Sequence, residues 1–232
     1  MKKHAALALA GALVSTGLSA QWSGEGELGY SNANGNSNTS ALAANLELTN
    51  SIGAWDHQVR FTAVGASQDD TVTAERYSLD GQSSRDINEK LFGFGGARYQ
   101  SDRFSGFDYQ ASVRAGLGYH LIDTEVQQLT FDAGVGYRQI ELQNNLGEET
   151  GATLILEADY SRQLTESTDF EAAYLTEIGD ANTFSEAGVG IRVSISDNLG
   201  LRVAYLVKQN SDVPAGANET DTLTTVGINY EF

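Results

Sequence analysis

The chain has 232 residues with 25 glycines, one proline and no cysteine, and its formal net charge at pH 7 is -17. This acidity disfavours nucleic acid as a partner because phosphates are repelled, and the absence of cysteine excludes disulfides, thiolate metal sites, cysteine nucleophiles and a lipid-modified N-terminal cysteine. Helical membrane proteins are also excluded, because no stretch beyond the N-terminal leader holds the ~20 apolar residues that a spanning helix needs.

The N-terminus predicts an export signal. Residues 1–20, MKKHAALALAGALVSTGLSA, combine a basic start, an apolar run from Ala5 to Val14 and a small residue at Ala20. This is the layout of a cleaved secretory signal peptide, and a buried N-terminal helix is the alternative. We expect cleavage after Ala20, which leaves residues 21–232 as one domain because no linker-like stretch divides them.

The remaining chain alternates between apolar and polar residues with a period of two, which indicates β-strands. The first segment, QWSGEGELGY, carries Trp22, Leu28 and Tyr30 on one parity and Glu25 and Glu27 on the other. The same alternation recurs in eleven further segments, near residues 42–48, 55–63, 77–79, 91–99, 107–121, 129–137, 154–160, 170–174, 187–193, 201–207 and 226–232.

Asp, Glu, Lys and Arg are absent from the apolar parity of these segments, where His57 is the only imidazole. The opposite parity carries the charges that we expect to line a lumen, namely Arg98, Arg114, Asp132, Arg138, Glu157, Glu171, Arg192 and Arg202. A soluble β-sandwich also alternates, but it buries its apolar face. A membrane barrel turns that face toward lipid and satisfies its backbone hydrogen bonds by closure.

Aromatic residues at both ends of the segments favour the barrel, because membrane barrels carry two aromatic girdles. At the end that we expect to face the periplasm the aromatics are Trp22, Trp55, Tyr119, Tyr160, Phe170, Tyr230 and Phe232. At the opposite end they are Tyr30, Tyr77, Tyr99, Phe107, Tyr109, Tyr137 and Tyr205. We therefore predict an all-β fold, an antiparallel transmembrane β-barrel of about twelve strands in the cell outer membrane.

Connections between the segments support the same orientation. Long loops are expected at SNANGNSN, SQDDTVTAE, ELQNNLGEET and KQNSDVPAGANET, and short periplasmic turns at SIGA, LTES and SDN. The chain ends TTVGINYEF, in which Thr225, Gly227, Tyr230 and Phe232 match the spacing of the signal that the barrel assembly machinery reads.

Four stretches carry a resemblance to a known family: GYSNANGNSNTSAL, DRFSGFDYQASVRAGLGYHLIDT, DAGVGYRQ and SDVPAGANETDTLTTVGINYEF. With them the mature chain resembles the salt-induced outer-membrane proteins of Gram-negative bacteria, a domain of unknown function. The resemblance implies an outer-membrane barrel whose expression is associated with salt. It brings no catalytic residues.

Catalytic and metal-binding chemistry finds weak support in the residues. Ser112, His120 and Asp132 could be compared with a hydrolase triad, but Ser112 and His120 lie on one strand about 26 Å apart at ~3.3 Å per residue. His120 is better interpreted as a hydrogen-bonding lumen residue.

The loop acids Asp69, Asp70, Glu148 and Glu149 could bind calcium or magnesium between lipopolysaccharides, although solvated loop charge is favoured because no fixed ligand spacing is visible. The GFGG stretch at 93–96 fits a strand rather than a phosphate loop.

The sequence thus predicts a non-enzymatic barrel without a cofactor, which forms a narrow pore for ions or small solutes. A structural envelope barrel with an occluded lumen is the second hypothesis, and an outer-membrane hydrolase is the third. Expected partners are outer-membrane lipids, lipopolysaccharide and the assembly machinery. The acidic excess favours weak cation selectivity, unless the arginines form a continuous ladder that reverses it.

Overall fold

The alternating segments become twelve strands in the computed structural model, which describes residues 22–33, 39–69, 71–103, 105–145, 147–180, 182–213 and 218–232. The strands are β1 (Ser23–Ala33), β2 (Thr39–Ile52), β3 (Trp55–Gln68), β4 (Thr71–Asp86), β5 (Leu91–Asp102), β6 (Phe107–Thr124), β7 (Gln127–Leu142), β8 (Gly147–Thr165), β9 (Thr168–Gly179), β10 (Thr183–Ser194), β11 (Leu199–Asn210) and β12 (Thr220–Glu231). The predicted signal peptide, residues 1–20, lies outside the described residues.

Every strand pairs antiparallel with its neighbours in sequence, and β1 pairs with β12 to close the barrel. Closure gives each described strand a hydrogen-bonded neighbour on both sides, so the sheet has no free edge strand. The prediction of a closed antiparallel barrel of twelve strands is confirmed. The described residues include no helix that is long and apolar enough to cross a membrane.

The two ends of the barrel differ. We call the end where β1 begins and β12 ends the terminal end, and the opposite end the loop end. Terminal-end turns are short, with two to four residues at 53–54, 87–90, 125–126, 166–167 and 195–198.

The expectation of a long loop at residues 67–75 is wrong. Strand β3 continues to Gln68 and β4 begins at Thr71, so the connection has two residues. The β-branched residues of TVT extend the hairpin, and a bulge between Ala66 and Ser67 shifts the register. Glu148 and Glu149 likewise belong to β8, while Asp70 is outside the described residues.

The outward wall carries the large apolar side chains. Val135 is 68% exposed, and Leu28, Val113, Val203 and Val226 are each more than half exposed, as expected for side chains that face lipid rather than a core. The five proposed interface aromatics, Trp22, Trp55, Tyr119, Tyr160 and Tyr230, lie near the terminal ends of their strands and are exposed or partly exposed.

Phe107 departs from the predicted loop-end girdle. A register shift between Phe107 and Tyr109 places it opposite Asp102, and its side chain is buried. The bulge adds one residue to the strand, so the alternation reverses at that point and the ring turns inward. The regular alternation of β6 predicts an outward Phe107, because it does not reveal the bulge.

Two further aromatic rings fill part of the interior. Phe92 and Phe94 on β5 are buried, and they lie over glycines of β6. A Cβ on Gly118 would come within 2.0 Å of the Phe92 ring, and one on Gly116 within 2.8 Å of the Phe94 ring. Glycine at these positions therefore allows the rings to lie flat against the inner wall.

Candidate functional site: the charged lumen

The eight charged residues predicted for the lumen all lie on inward-facing positions of their strands. Arg98 and Arg138 lie toward the loop end, Arg114 and Asp132 near the middle, and Arg192 and Arg202 toward the terminal end. Glu157 and Glu171, on β8 and β9, complete the set. They do not form one group, because each arginine pairs with a different carboxylate.

Side chains cross the lumen in the loop-end half. Glu186 on β10 accepts hydrogen bonds from Arg98 Nη2 and Lys208 Nζ, both at 3.0 Å. Lys208 Nζ also lies 3.3 Å from Gln100 Oε1. Lys208 is on β11 and Gln100 on β5, and these strands are diametrically opposite in the twelve-strand order. The lumen is therefore bridged across its full diameter.

A second set of polar contacts adjoins this bridge. Glu177 Oε1 accepts a hydrogen bond from Ser112 Oγ at 3.2 Å, and Glu177 Oε2 lies 3.5 Å from Arg138 Nη1. Arg138 also donates to the backbone carbonyl of Asn182. Glu177 and Arg138 are 2% and 5% exposed, so this part of the lumen is closed to bulk water.

Apolar side chains complete the closure. Ile155, Leu175 and Phe184 form a buried inward cluster, and the Arg98 guanidinium lies 5.0 Å above the Phe184 ring centroid. These polar and apolar residues together close the lumen, and we call them the loop-end plug. The plug consists of Arg98, Gln100, Arg138, Ile155, Leu175, Glu177, Phe184, Glu186 and Lys208. The cavity left against Arg98, Ser112 and Arg138 measures about 10 Å³, enough for at most one water molecule.

The lumen toward the terminal end is open by contrast. The Arg60 side chain is 51% exposed although it points inward and pairs with Glu47 at 3.0 Å. Asp159 is exposed as well. These exposures describe a solvated space on the terminal side of the plug, which we call the vestibule.

Ion pairs also line the vestibule. Arg192 lies 3.2 Å from Glu25 and 3.5 Å from Asp169, and Arg202 lies 2.9 Å from Glu27 and 3.1 Å from Glu171. These four carboxylates come from two strands, β1 and β9, while the arginines are on β10 and β11, so the pairs tie the wall together near the β1–β12 closure. Each arginine faces at least two acids, which leaves the local charge negative.

Three carboxylates stand apart from these pairs. Asp132 and Glu157 are directly opposite in register on β7 and β8, and Asp159 is two residues beyond Glu157. Neither Asp132 nor Glu157 has an ion-pair partner among the described side chains, and Asp132 Oδ1 and Glu157 Oε2 are buried without a hydrogen bond. This patch places three further acids on the vestibule wall.

The hypothetical hydrolase residues do not meet. Ser112 bonds Glu177 in the plug, whereas His120 Nδ1 lies 3.2 Å from Thr130 Oγ1 in the vestibule. The hydrogen bond agrees with the interpretation of His120 as a lumen residue. Within the described ranges, no group of three His, Asp or Glu side chains is arranged to hold a metal ion.

Sequence reasoning missed several members of the plug. Lys208, Glu177 and Phe184 all have inward parity, so the alternation could have identified them as lumen residues. The sequence pattern could not predict which residues on distant strands they contact, because a contact across the lumen depends on barrel diameter and strand tilt.

A family model described as a protein of unknown function, DUF481, matches residues 26–232, which covers β2 to β12 and all but the first three residues of β1. The chain belongs to the DUF481 family. A curated relative is the uncharacterized protein YdiY of Escherichia coli strain K12, which is 30% identical over 213 residues, 90% of this chain and 83% of YdiY. This match agrees with the resemblance to a domain of unknown function.

Solved structures with a similar fold include outer-membrane channels. The NanC porin superposes with a TM-score of 0.56 at 8% identity, over 91% of this chain and all of the porin. An outer-membrane channel from Pseudomonas putida F1 gives a TM-score of 0.52 at 9% identity, over 91% of this chain and 95% of the channel. At these identities the likeness establishes that the DUF481 chain has the fold of outer-membrane barrels.

Proposed function

We propose that the protein is a non-enzymatic barrel of the outer membrane that holds a narrow path for small cations, closed in this structure by the loop-end plug. The membrane location is supported by the apolar outward wall and by the fold shared with outer-membrane channels. The short terminal-end turns favour the periplasm for that end. An association with salt stays a prediction of the family resemblance.

One observation carries the proposal: Lys208 and Arg98 reach Glu186 and Gln100 across the lumen. An open porin would leave a continuous aqueous channel, and here that channel stops at the plug. Side-chain bridges can rearrange without any change in the strands, whereas a core packed by apolar residues alone would need repacking. A path closed by ion pairs is therefore one that can open.

The vestibule favours cations. The arginines do not form a continuous ladder, because Arg98, Arg114, Arg138, Arg192 and Arg202 are each held by a carboxylate. In the vestibule Arg192 and Arg202 each face at least two acids, and this excess of carboxylates sets the local potential, which concentrates cations.

Conductance of the refolded protein in planar bilayers tests this function. The double variant Arg98→Ala/Glu186→Ala removes both ion pairs of Glu186 and leaves the Lys208–Gln100 contact, and we expect it to conduct more than the wild type. The matched control is Arg114→Ala/Asp80→Ala, which removes a bidentate pair between β6 and β4 that follows the wall. The control should leave conductance near the wild-type level.

A structural envelope barrel is the second candidate, and the burial of the plug favours it. If the Arg98→Ala/Glu186→Ala variant folds and does not conduct at any salt concentration, the occluded barrel replaces the pore. If the wild type already conducts as strongly as this variant, the plug does not close the path.

A further inference from the structure

A basic and aromatic cluster lies on the outward wall at the terminal end. Arg85 on β4 is directly opposite Trp55 on β3, and His57 is opposite Ser83 on the same two strands. Trp55 is on the outward parity and exposed, so Arg85 also faces outward. The outward parity of the predicted segments carries no Asp, Glu, Lys or Arg, and Arg85 lies beyond those segments, near the terminal end of β4.

Contacts within the cluster fix its geometry. The Arg85 guanidinium lies 5.5 Å from the Trp55 ring centroid, a cation–π distance. The His57 ring is parallel to that of Trp55 at 6.3 Å and 3°, and His57 Nδ1 lies 2.8 Å from Ser83 Oγ. The Arg85 guanidinium forms no ion pair within the described residues, which leaves most of its five N–H donors for a ligand.

A recess without side chains runs from the cluster toward the middle of the outward wall. Gly93 is opposite Arg85 and Gly95 is opposite Ser83 on β5, and Gly81 lies farther along β4. A Cβ on Gly81 would meet no atom within 4 Å, and one on Gly95 would approach nothing closer than 3.8 Å. The glycines are thus not required by crowding, and the space above them is open.

We propose that this site binds one phospholipid, with its phosphate on Arg85 and His57 and an acyl chain in the glycine recess. A guanidinium matches the geometry of phosphate oxygens, and a tryptophan at this depth suits the headgroup region. The inference rests on the proposed placement of the outward wall in a membrane. It assigns the lipid to the leaflet at the terminal end, where a phospholipid rather than lipopolysaccharide is expected.

Binding of phosphatidylglycerol to the folded barrel in detergent micelles tests the site. The chain has two tryptophans, so a Trp22→Phe background leaves Trp55 as the fluorescent reporter. We expect a saturable change in Trp55 emission, and Arg85→Gln should weaken binding about tenfold or more, as for loss of a charged hydrogen bond. Gly81→Leu should weaken it by filling the recess.

Arg162→Gln is the matched control. Arg162 is an exposed arginine near the terminal end of β8, opposite Phe170 rather than a tryptophan. Equal losses from Arg85→Gln and Arg162→Gln would overturn the site in favour of general charge attraction. Diacylglycerol without phosphate should bind weakly, and binding as strong as that of phosphatidylglycerol would overturn the phosphate contact.

Two further measurements distinguish a lipid site from a free-phosphate site, and the lipid site from the proposed pore. Glycerol 3-phosphate should bind much more weakly than the lipid, and equal affinity would show a free-phosphate site in place of a lipid site. The micelle assay needs no conduction, so a barrel that binds lipid but never conducts would refute the pore and keep this inference. Absence of any saturable binding would refute the inference alone.

Discussion

Arg98 Nη2 on β5 lies 3.0 Å from Glu186 Oε2 on β10, although these strands are five positions apart around the barrel. Neighbouring strands are held by backbone hydrogen bonds, but this contact joins opposite walls through side chains alone. Lys208 shares the same carboxylate oxygen and is itself buried. Glu186 therefore neutralises two cations inside the plug.

Glu186→Gln should lower the free energy of unfolding by about 3 kcal/mol or more, because it leaves two buried cations without their counter-charge. Denaturant titration of the refolded barrel in lipid would measure the change. Glu171→Gln is the control: its partner Arg202 keeps Glu27, and both side chains are partly solvated. Its cost should stay within about 1 kcal/mol, and equal costs for the two variants would contradict the role of Glu186.

Cation preference should appear once the ion pairs of Glu186 in the plug are removed. In Arg98→Ala/Glu186→Ala, the reversal potential across a potassium chloride gradient should show preference for potassium, since the vestibule keeps its excess of carboxylates over arginines. Adding Glu157→Gln and Asp159→Asn should reduce that preference. High salt should reduce it as well, because the Debye length falls from ~10 Å at 0.1 M to ~3 Å at 1 M. Preference for chloride would show that the arginines control the path.

An arginine on the outward wall should be far more costly than one in the vestibule. Val113→Arg places a charge against lipid near mid-barrel and should cost about 2–4 kcal/mol. Thr62→Arg, inward between Asn45 and Ser78, should cost much less because water reaches it. Refolding titrations compare the two, and equal costs would contradict the assigned faces.

Ser112→Arg would not serve as the low-cost inward comparison for Val113→Arg. The parity of Ser112 is inward, and from parity alone an arginine there would enter an aqueous lumen. In the structure Ser112 is buried against Glu177 in the plug, so an arginine would have to displace packed side chains.

Deletion of Phe232 should reduce the folded fraction in the membrane without affecting export. The Phe232 backbone exchanges two hydrogen bonds of 2.9 Å with Gly24, and its ring lies beside Gly24 and the Tyr230 ring. The β1–β12 pair has five register positions against eleven for β1–β2, so the seam is short. Heat-modifiable mobility on gels would measure folding.

Phe232→Leu separates the backbone contribution from the aromatic signal. It keeps both hydrogen bonds to Gly24 and an apolar side chain. If assembly machinery reads the aromatic ring, Phe232→Leu should lower folding in cells but not refolding from urea into lipid. Unchanged folding in cells after deletion of Phe232 would argue against any signal at this end.

The strand pattern was predictable from sequence because the two faces of each strand meet different solvents. Val113, Val135 and Val203 face outward while Arg114 and Arg202 face inward, and a period of two records that difference directly. Irregularities were not predictable, since the bulge beside Phe107 depends on pairing with β5 and β7. The alternation places Phe92 and Phe94 inward, but it does not show that their rings are buried against the inner wall.

Closure of the lumen was also beyond the sequence. Parity placed Arg98 and Arg138 inside, but either an open lining or a bridge was compatible with it. The distance between opposite walls decides whether these side chains line an open lumen or bridge it. That distance is set by strand number, tilt and shear together. The long side chains of Arg98 and Lys208 span that distance only because the walls approach closely enough.

The most direct test of the closed lumen is the reactivity of single cysteines, which the cysteine-free chain allows without background. Asp159→Cys lies in the vestibule and Ser112→Cys replaces one oxygen by sulfur inside the plug. A water-soluble thiol reagent should modify Asp159→Cys rapidly and Ser112→Cys slowly in the folded barrel, with equal rates after denaturation. Equal, rapid modification of both in the folded barrel would show a continuous aqueous lumen and would contradict the plug.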